Sequence, residues 1–369
     1  MDSSISEKID RYTDEYEANL VEEYISSAKI KLIIIGVFLA VGILLALYSL
    51  GLGLRNMDFF STIGMLVDHL NGETYTLHSR EWFNDNILWN SNVPRLVFTI
   101  FAGVGLAVAG TAMQSTMNNP LADPYTVGVS AGACLGLSVA LLLGFSLNNS
   151  GLYGIVSLAF MFSMIPLFAI VIFAPKTRSS PSTLILAGVA IAYLFNAFDT
   201  ILLVSTDTET LATVYVWHTG TLGGIHWYNI PVTVVSILAG TIVIAYLSKQ
   251  LNLLALGDAS ATSLGVDPDN LRIICLVAIA FIVAAVVGNA GIIGFVGLVS
   301  PHIARMLIGS NNRFVIPAAS IISVTLMLIA DIVCRTLSEV EAIPVGSMLA
   351  LIGAPIFLYL IARRNSRVW

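Results

Sequence analysis

The sequence predicts an all-α, polytopic membrane protein with about ten crossing helices and both termini on the cytoplasmic side. Three observations lead there. The 369 residues are 57% hydrophobic and 11% charged, with a mean hydropathy of +0.87, where an ordinary soluble domain carries about 25% charged residues. Long windows hold no Asp, Glu, Lys or Arg: 32–54, 96–122, 124–175, 179–198, 210–248, 273–304, 314–330 and 342–362. The positive charges are also unevenly distributed, and their side fixes the orientation.

The elements follow in chain order. Residues 1–29 form an acidic lead in which Ile5, Ile9, Tyr12, Tyr16 and Leu20 recur at helical spacing. The expectation is a solvated cytoplasmic tail, with a short surface helix as the alternative. The first apolar segment behind it shows no small-residue cleavage site and reads as an uncleaved helix. A membrane-spanning helix needs roughly 20 apolar residues, so the longest windows hold two crossings each. The turn at Asn148–Gly151 divides one of them, and Gly288–Gly294 divides another. This gives helices at 31–53, 94–116, 126–144, 152–174, 182–205, 229–248, 271–288, 295–309, 314–336 and 344–362, within a transmembrane domain covering 30–369.

With an even number of crossings and the N-terminus inside, thirteen of the 17 Lys and Arg residues fall on inner segments. Only Arg55, Arg80, Arg95 and Arg335 fall outside. The net charge of −6 sits mostly in the lead and gives no basis for a nucleic-acid partner. Cys134, Cys275 and Cys334 lie in apolar stretches without metal-ligand or redox spacing, so they read as small core residues.

Small residues crowd the second and third helices, with Gly103, Gly105 and Gly110 followed by Gly128, Gly132 and Gly136 at intervals of four. Such a stripe lets helix backbones approach closely in lipid. Two features break the helical pattern. One is Asn118-Asn119-Pro120-Leu121-Ala122-Asp123-Pro124; the other is Gly288, Gly291, Gly294 and Gly297, followed by Ser300-Pro301-His302. Irregular backbone at membrane depth is tolerated only inside protein or along a water-filled cavity, so the breaks favour a transport pathway.

The largest inner loop, about 250–270, holds Gly257-Asp258-Ala259-Ser260-Ala261-Thr262-Ser263-Leu264-Gly265. Asp258 is placed as the N-cap of a short helix there, and Gly265 as its stop. Such a helix outside the bilayer suits docking into a groove on another protein, although an ordinary loop fits the same residues.

Taken together, these residues resemble the permeases of iron-siderophore, cobalamin and haem ABC importers. The resemblance runs through Pro94-Arg95-Leu96, Asn119-Pro120-Leu121-Ala122-Asp123-Pro124 and Gly128-Val129-Ser130-Ala131-Gly132-Ala133. It continues through Leu184–Ala190, Leu256-Gly257-Asp258 to Val266, and Gly294-Phe295-Val296-Gly297-Leu298-Val299-Ser300-Pro301-His302. Ala330-Asp331-Ile332-Val333, Pro344-Val345-Gly346 and Ile352-Gly353-Ala354-Pro355 close it, over roughly residues 92–363.

The resemblance implies a ten-helix subunit that pairs with a second copy, so a homodimer, around a translocation path in the cell (inner or cytoplasmic) membrane. A pair of ATP-binding subunits would sit inside, and an extracellular or periplasmic solute-binding protein outside. It implies that Gly257, Asp258, Ala259, Ser260, Ala261, Thr262, Ser263, Leu264 and Gly265 couple to the ATPase, and that Arg95 and Arg335 receive the binding protein. Asn119, Leu121 and Ser182 would form the cytoplasmic gate. One departure stands out. The position three before Arg95, often arginine in the family, is Asn92, which leaves Arg55 or Arg80 as substitutes.

The chain itself is expected not to be an enzyme. A phosphate-cradling loop needs Gly-Lys followed by Ser or Thr, and the sequence contains no Gly-Lys pair. No metal or other cofactor is expected. Iron(III)-siderophore is the expected cargo, with cobalamin or haem as alternatives and oxyanions still open.

Four further groups stay ambiguous. Asp331 lies four residues before Arg335, so the two share a helix face. They are either a functional intramembrane pair or a mutually satisfied structural one. Asp199, near the outer end of the fifth helix, poses the same choice. His218 and His226 read as interfacial packing beside Trp217 and Trp227 rather than as a metal pair, and His302 as a hydrogen-bonded bundle residue. An ion-coupled secondary transporter would need carboxylates at the membrane midplane, and only Asp199 and Asp331 come near it. An intramembrane enzyme would need clustered His, Asp or Glu, which the sequence does not offer.

Overall fold

The computed structural model describes residues 29–145, 152–173, 180–204, 206–337 and 343–362. Among them every regular element is helical. The acidic lead, the Asn148–Gly151 turn, Lys176, Arg178 and the C-terminal arginines lie outside the described residues.

Each of the ten expected segments coincides with a helix: α1 Lys29–Gly51, α4 Val93–Thr116, α5 Val129–Leu142, α6 Leu152–Phe173 and α7 Pro181–Val204, then α9 Ile230–Tyr246, α12 Pro268–Ala290, α13 Val296–Ile308, α14 Asn312–Leu337 and α15 Val345–Ala362. Among the described residues seven are long and apolar enough to cross a membrane, whereas α5 and α13 are shorter apolar helices. At 1.5 Å per residue α5 spans about 21 Å, less than the roughly 30 Å hydrocarbon core. The chain is therefore a polytopic, all-α membrane protein with helices of unequal length.

Five further helices fill the connections: α2 Phe59–Leu70, α3 Arg80–Ile87, α8 Thr208–His218, α10 Ser248–Leu254 and α11 Asp258–Ser263. Three begin at side-chain caps that satisfy orphan backbone N–H groups. Asp58 accepts from Ser61 N at 2.8 Å, Ser79 from Trp82 N at 3.0 Å, and Asp207 from Thr210 N at 2.9 Å. On α12, Asp267 accepts from Asp269 N and Asn270 N, with Pro268 in the first turn where its missing N–H costs nothing.

The core is centred on α4, which packs against α9, α12, α13 and α14. Only 6% of the apolar window of α1 is buried, against 78% of that of α12, so α1 lies at the periphery and α12 inside. The glycine stripes work by close approach. A Cβ at Gly132 or Gly136 would strike the α6 backbone at Phe162–Ser163 or Leu158–Ala159, and one at Gly110 would fall on the carbonyl of Gly297 in α13. The three cysteines are free and buried.

Candidate functional site

Two breaks in the helical pattern, separate in sequence, meet in the fold. After Thr116 the chain turns through Asn118 at φ +46°, a left-handed conformation that Asn tolerates better than most residues. The N–H groups of Asn118 and Asn119 return to the carbonyls of Ser115 and Gln114, closing α4. The Asn119 side chain accepts from Leu121 N at 2.9 Å, and Asp123 accepts from Tyr125 N at 2.8 Å to start a 3-10 turn, Pro124–Val127. The second break is the non-helical segment from Gly291 to Phe295, both at positive φ. Tyr125 Oη donates to Ile293 O at 3.1 Å, joining the two breaks. Thr221 N donates to Ala290 O at 2.8 Å and Gly346 N to Gly220 O at 3.1 Å, so the connection after α8 and the start of α15 meet the same segment.

Of the expected gate residues, Leu121 is 49% exposed and Ser182 is exposed. Among the described residues no hydrogen bond joins Ser182 to the turn. α7 meets the turn instead at Gly188, which lies against Thr126 O and Val127.

In the connection between α10 and α12, α11 forms where the sequence places a short helix. Its N-cap is Gly257, at φ +98°, and not Asp258. Asp258 is the first helical residue and accepts both terminal nitrogens of Arg272, at 2.6 and 2.9 Å. The Arg272 guanidinium, with its side chain 1% exposed, holds the carboxylate away from the backbone it would otherwise cap. These bonds keep the Asp258 carboxyl below its ordinary range, against a smaller opposing effect of burial. The helix ends as expected. Gly265 sits at φ +83°, its N–H returns to Thr262 O, and Val266 N returns to Ala261 O. Ala261 is buried, while Ala259, Ser260, Thr262, Ser263 and Leu264 are exposed, and Leu256 beside them is 64% exposed.

A second arginine braces this end of α4. Arg305, 3% exposed, bonds Ser115 Oγ and Asn312 Oδ1 at 3.0 Å each, and Asn312 N donates to Asn252 Oδ1 of α10 at 2.8 Å.

At the start of α4, Arg95 is buried and pairs with Asp331 at 2.6 and 2.8 Å. Arg335 is 4.0 Å from that carboxylate and donates instead to Ser49 O, Leu52 O and Asn92 Oδ1, at 3.0, 2.7 and 2.7 Å. Helical spacing thus put both members of the structural pair on one face, but the third group, Arg95, takes the carboxylate. Asn92 completes the arrangement by donating to Leu50 O and Leu52 O. Arg55 and Arg80 are exposed, with Arg80 bonded to Arg55 O.

Asp199 is buried, accepts from Ser138 Oγ at 2.5 Å and lies 3.8 Å from His218 Nε2. His226 faces Asn90 O and stacks on Tyr228, while Trp227 Nε1 donates to Trp89 O. His302 is buried with its ring edge-on to Phe357. The helices α2 and α3, with His69 bound to Asp85 and stacked on Trp89, are too short to read as spans; their caps, Asp58 and Ser79, mark their starts.

Residues 38–363 match the FecCD transport family. The chain is 34% identical to an ABC transporter permease protein of Methanocaldococcus jannaschii, over 92% of this chain and 97% of that protein. It is 36% identical to the hemin transport system permease of Yersinia pestis, over 76% of this chain and 84% of the relative. Among solved structures, an inward-facing metal-chelate type ABC transporter superposes with a TM-score of 0.77 at 30% identity, covering 90% of this chain and 99% of that one.

Proposed function

The chain belongs to the FecCD transport family, and from that premise we propose that it is the membrane-spanning permease subunit of an ABC importer, carrying a metal chelate that a solute-binding protein delivers. The observation that carries this reading is α11: a short helix closed at its end by Gly265, with exposed Leu256 and Leu264 at its margins and Arg272 tying it to the bundle. A helix held this firmly can transmit the closure of a docked partner as a rigid-body movement.

In this reading a pair of separate ATP-binding subunits docks at Gly257–Gly265 and hydrolyses the ATP. A second copy of the chain completes the path, and the gate includes Asn119, Leu121 and Ser182. Both termini face the cytoplasm, with residues 1–29 as a tail and ten helices crossing the cytoplasmic membrane. The solute-binding protein meets the outer face near the ends of α1, α4 and α14. Iron(III)-siderophore is the proposed cargo. Cobalamin or haem is the alternative cargo, the chain being 34% identical to a cobalamin import permease and 36% identical to a hemin transport permease.

An ion-coupled mechanism fits less well. The carboxylates it would use, Asp199 and Asp331, are already engaged by Ser138 and Arg95. The deciding experiment is uptake into proteoliposomes holding the chain with its ATP-binding subunits and the solute-binding protein. Uptake should survive ionophores that collapse ion gradients and stop with orthovanadate. Uptake that follows the ion gradient, or proceeds without the ATP-binding subunits, rejects the proposal. Mass spectrometry of the ligand carried by the binding protein identifies the cargo.

A further inference from the structure

We infer that Arg272 is the positioning residue that carries movement of α11 to the cytoplasmic end of α4, and through it to the Asn118–Pro124 turn. This rests on the reading of the chain as an ATP-driven permease and adds to it a residue outside both the docking helix and the gate.

The geometry is specific. One guanidinium, almost wholly buried, makes three directed bonds to two different elements: its terminal nitrogens to the Asp258 carboxylate at 2.6 and 2.9 Å, and Nε to Thr116 O at 3.0 Å. Thr116 is the last residue of α4. The carbonyls of Gln114 and Ser115 are taken by Asn119 N and Asn118 N, which leaves the Thr116 carbonyl as an orphan of the helix end. Arg272 fills that vacancy with a cation where the helix dipole favours one.

A guanidinium is planar, and its N–H groups are fixed relative to one another. Asp258 therefore cannot shift or rotate without moving Arg272 against Thr116 or breaking a charge-assisted bond. The residue next but one after Thr116 is Asn118, the left-handed pivot of the turn. Any displacement at Thr116 enters the turn at that pivot. Arg305, the other buried cation at this end of α4, bonds Asn312 of α14, so it braces α4 against the bundle. Arg272 is the bond to the docking helix.

Lysine is the informative replacement, because its ammonium is a point charge that can serve Asp258 or the carbonyl but not both in this geometry. The test uses the chain and its ATP-binding subunits in lipid nanodiscs, with Leu121→Cys as reporter. Leu121 is 49% exposed, and the native Cys134, Cys275 and Cys334 are all buried and give little background. The rate of labelling by a polar maleimide is measured with and without ATP, magnesium and orthovanadate, and subunit assembly is measured separately by pull-down. In the parent, nucleotide should change the rate by about fivefold or more. Arg272→Lys should assemble with the ATP-binding subunits yet lose that change. A change that persists in Arg272→Lys overturns the inference. So does loss of assembly in step with loss of the change, since Arg272 would then only seat α11. Should Arg272→Lys fail to fold, Asp258→Asn at the half-exposed end of the pair must show the same loss, and a retained change there overturns the inference equally. A parent that does not respond to nucleotide overturns the importer reading itself, and the link falls with it.

Discussion

Arg95 holds Asp331 at 2.6 Å across 236 residues of sequence, while Arg335, on the same helix as Asp331, stands 4.0 Å from it. The freed Arg335 binds the carbonyls of Ser49 and Leu52 at the end of α1. Ser49 O otherwise accepts only a 3.4 Å bond from Leu52 N, and a cation there also meets the negative end of the dipole. One carboxylate and two arginines thus fasten the start of α4 to the ends of α14 and α1.

Breaking the buried pair should be costly, because each partner leaves the other charged and unsatisfied. Arg95→Ala or Asp331→Ala alone should destabilise the protein by about 3–5 kcal/mol. The double substitution should cost clearly less than the two summed, measured by thermal unfolding in detergent. Additive losses would show that the pair is not coupled.

Arg335 and the exposed arginines should separate by phenotype. Arg335→Gln leaves the end of α1 unbonded, so amide exchange across residues 49–54 should accelerate. Arg55→Glu with Arg80→Glu, at exposed positions, should leave thermal stability within about 0.5 kcal/mol. It should weaken capture of the solute-binding protein at low salt, and the difference should shrink at high salt as screening rises. Equal affinity at low salt would remove those arginines from the docking surface.

The ten apolar segments were legible because a membrane span announces itself by length and lack of charge. The two breaks were equally plain from Asn118–Pro124 and the glycines at 288–297. Their meeting at Tyr125 and Ile293 was not, since nothing local encodes a contact 168 residues apart. The same limit explains Asp258. Its position fits an N-cap, but a carboxylate beside a buried guanidinium pairs with the charge, and Arg272 lies a further 14 residues along. It also explains Asp331, whose spacing to Arg335 was correct while its stronger partner came from a distant helix. Helices α2, α3 and α8 lack an apolar run of spanning length, although the capping residues Asp58, Ser79 and Asp207 mark their starts.

The contact between α4 and α13 should tolerate no side chain at Gly110. Gly110→Ala places a methyl group on the Gly297 carbonyl, a backbone group of a packed helix that cannot swing aside. A loss of about 3 kcal/mol or more is expected, at the upper end of overpacking costs, together with poor yield of folded protein. Gly36→Ala in the peripheral α1 has open space around its Cβ. It should be neutral or gain up to about 1 kcal/mol from helix propensity. Similar unfolding temperatures for the two variants would contradict the close approach.

The ion pair at α11 has a defined pH dependence. Asp258 ordinarily titrates near 3.8, and its hydrogen bonds from Arg272 lower that value in the folded chain, with burial opposing. A carboxyl whose folded value is depressed contributes its stabilisation above 3.8 and loses it as pH falls through the folded value. The difference in unfolding temperature between the parent and Asp258→Asn should therefore stay constant from about pH 8 down to about pH 5. Below about pH 4 it should shrink, because the protonated carboxyl of the parent then approaches the neutral amide of the variant. The side chain is 52% exposed, so the plateau should be modest, nearer the exposed than the buried range of ion-pair strengths. A difference that already shrinks between pH 7 and about pH 5 would mean that the carboxyl is raised rather than lowered, and that Arg272 is not its partner in solution.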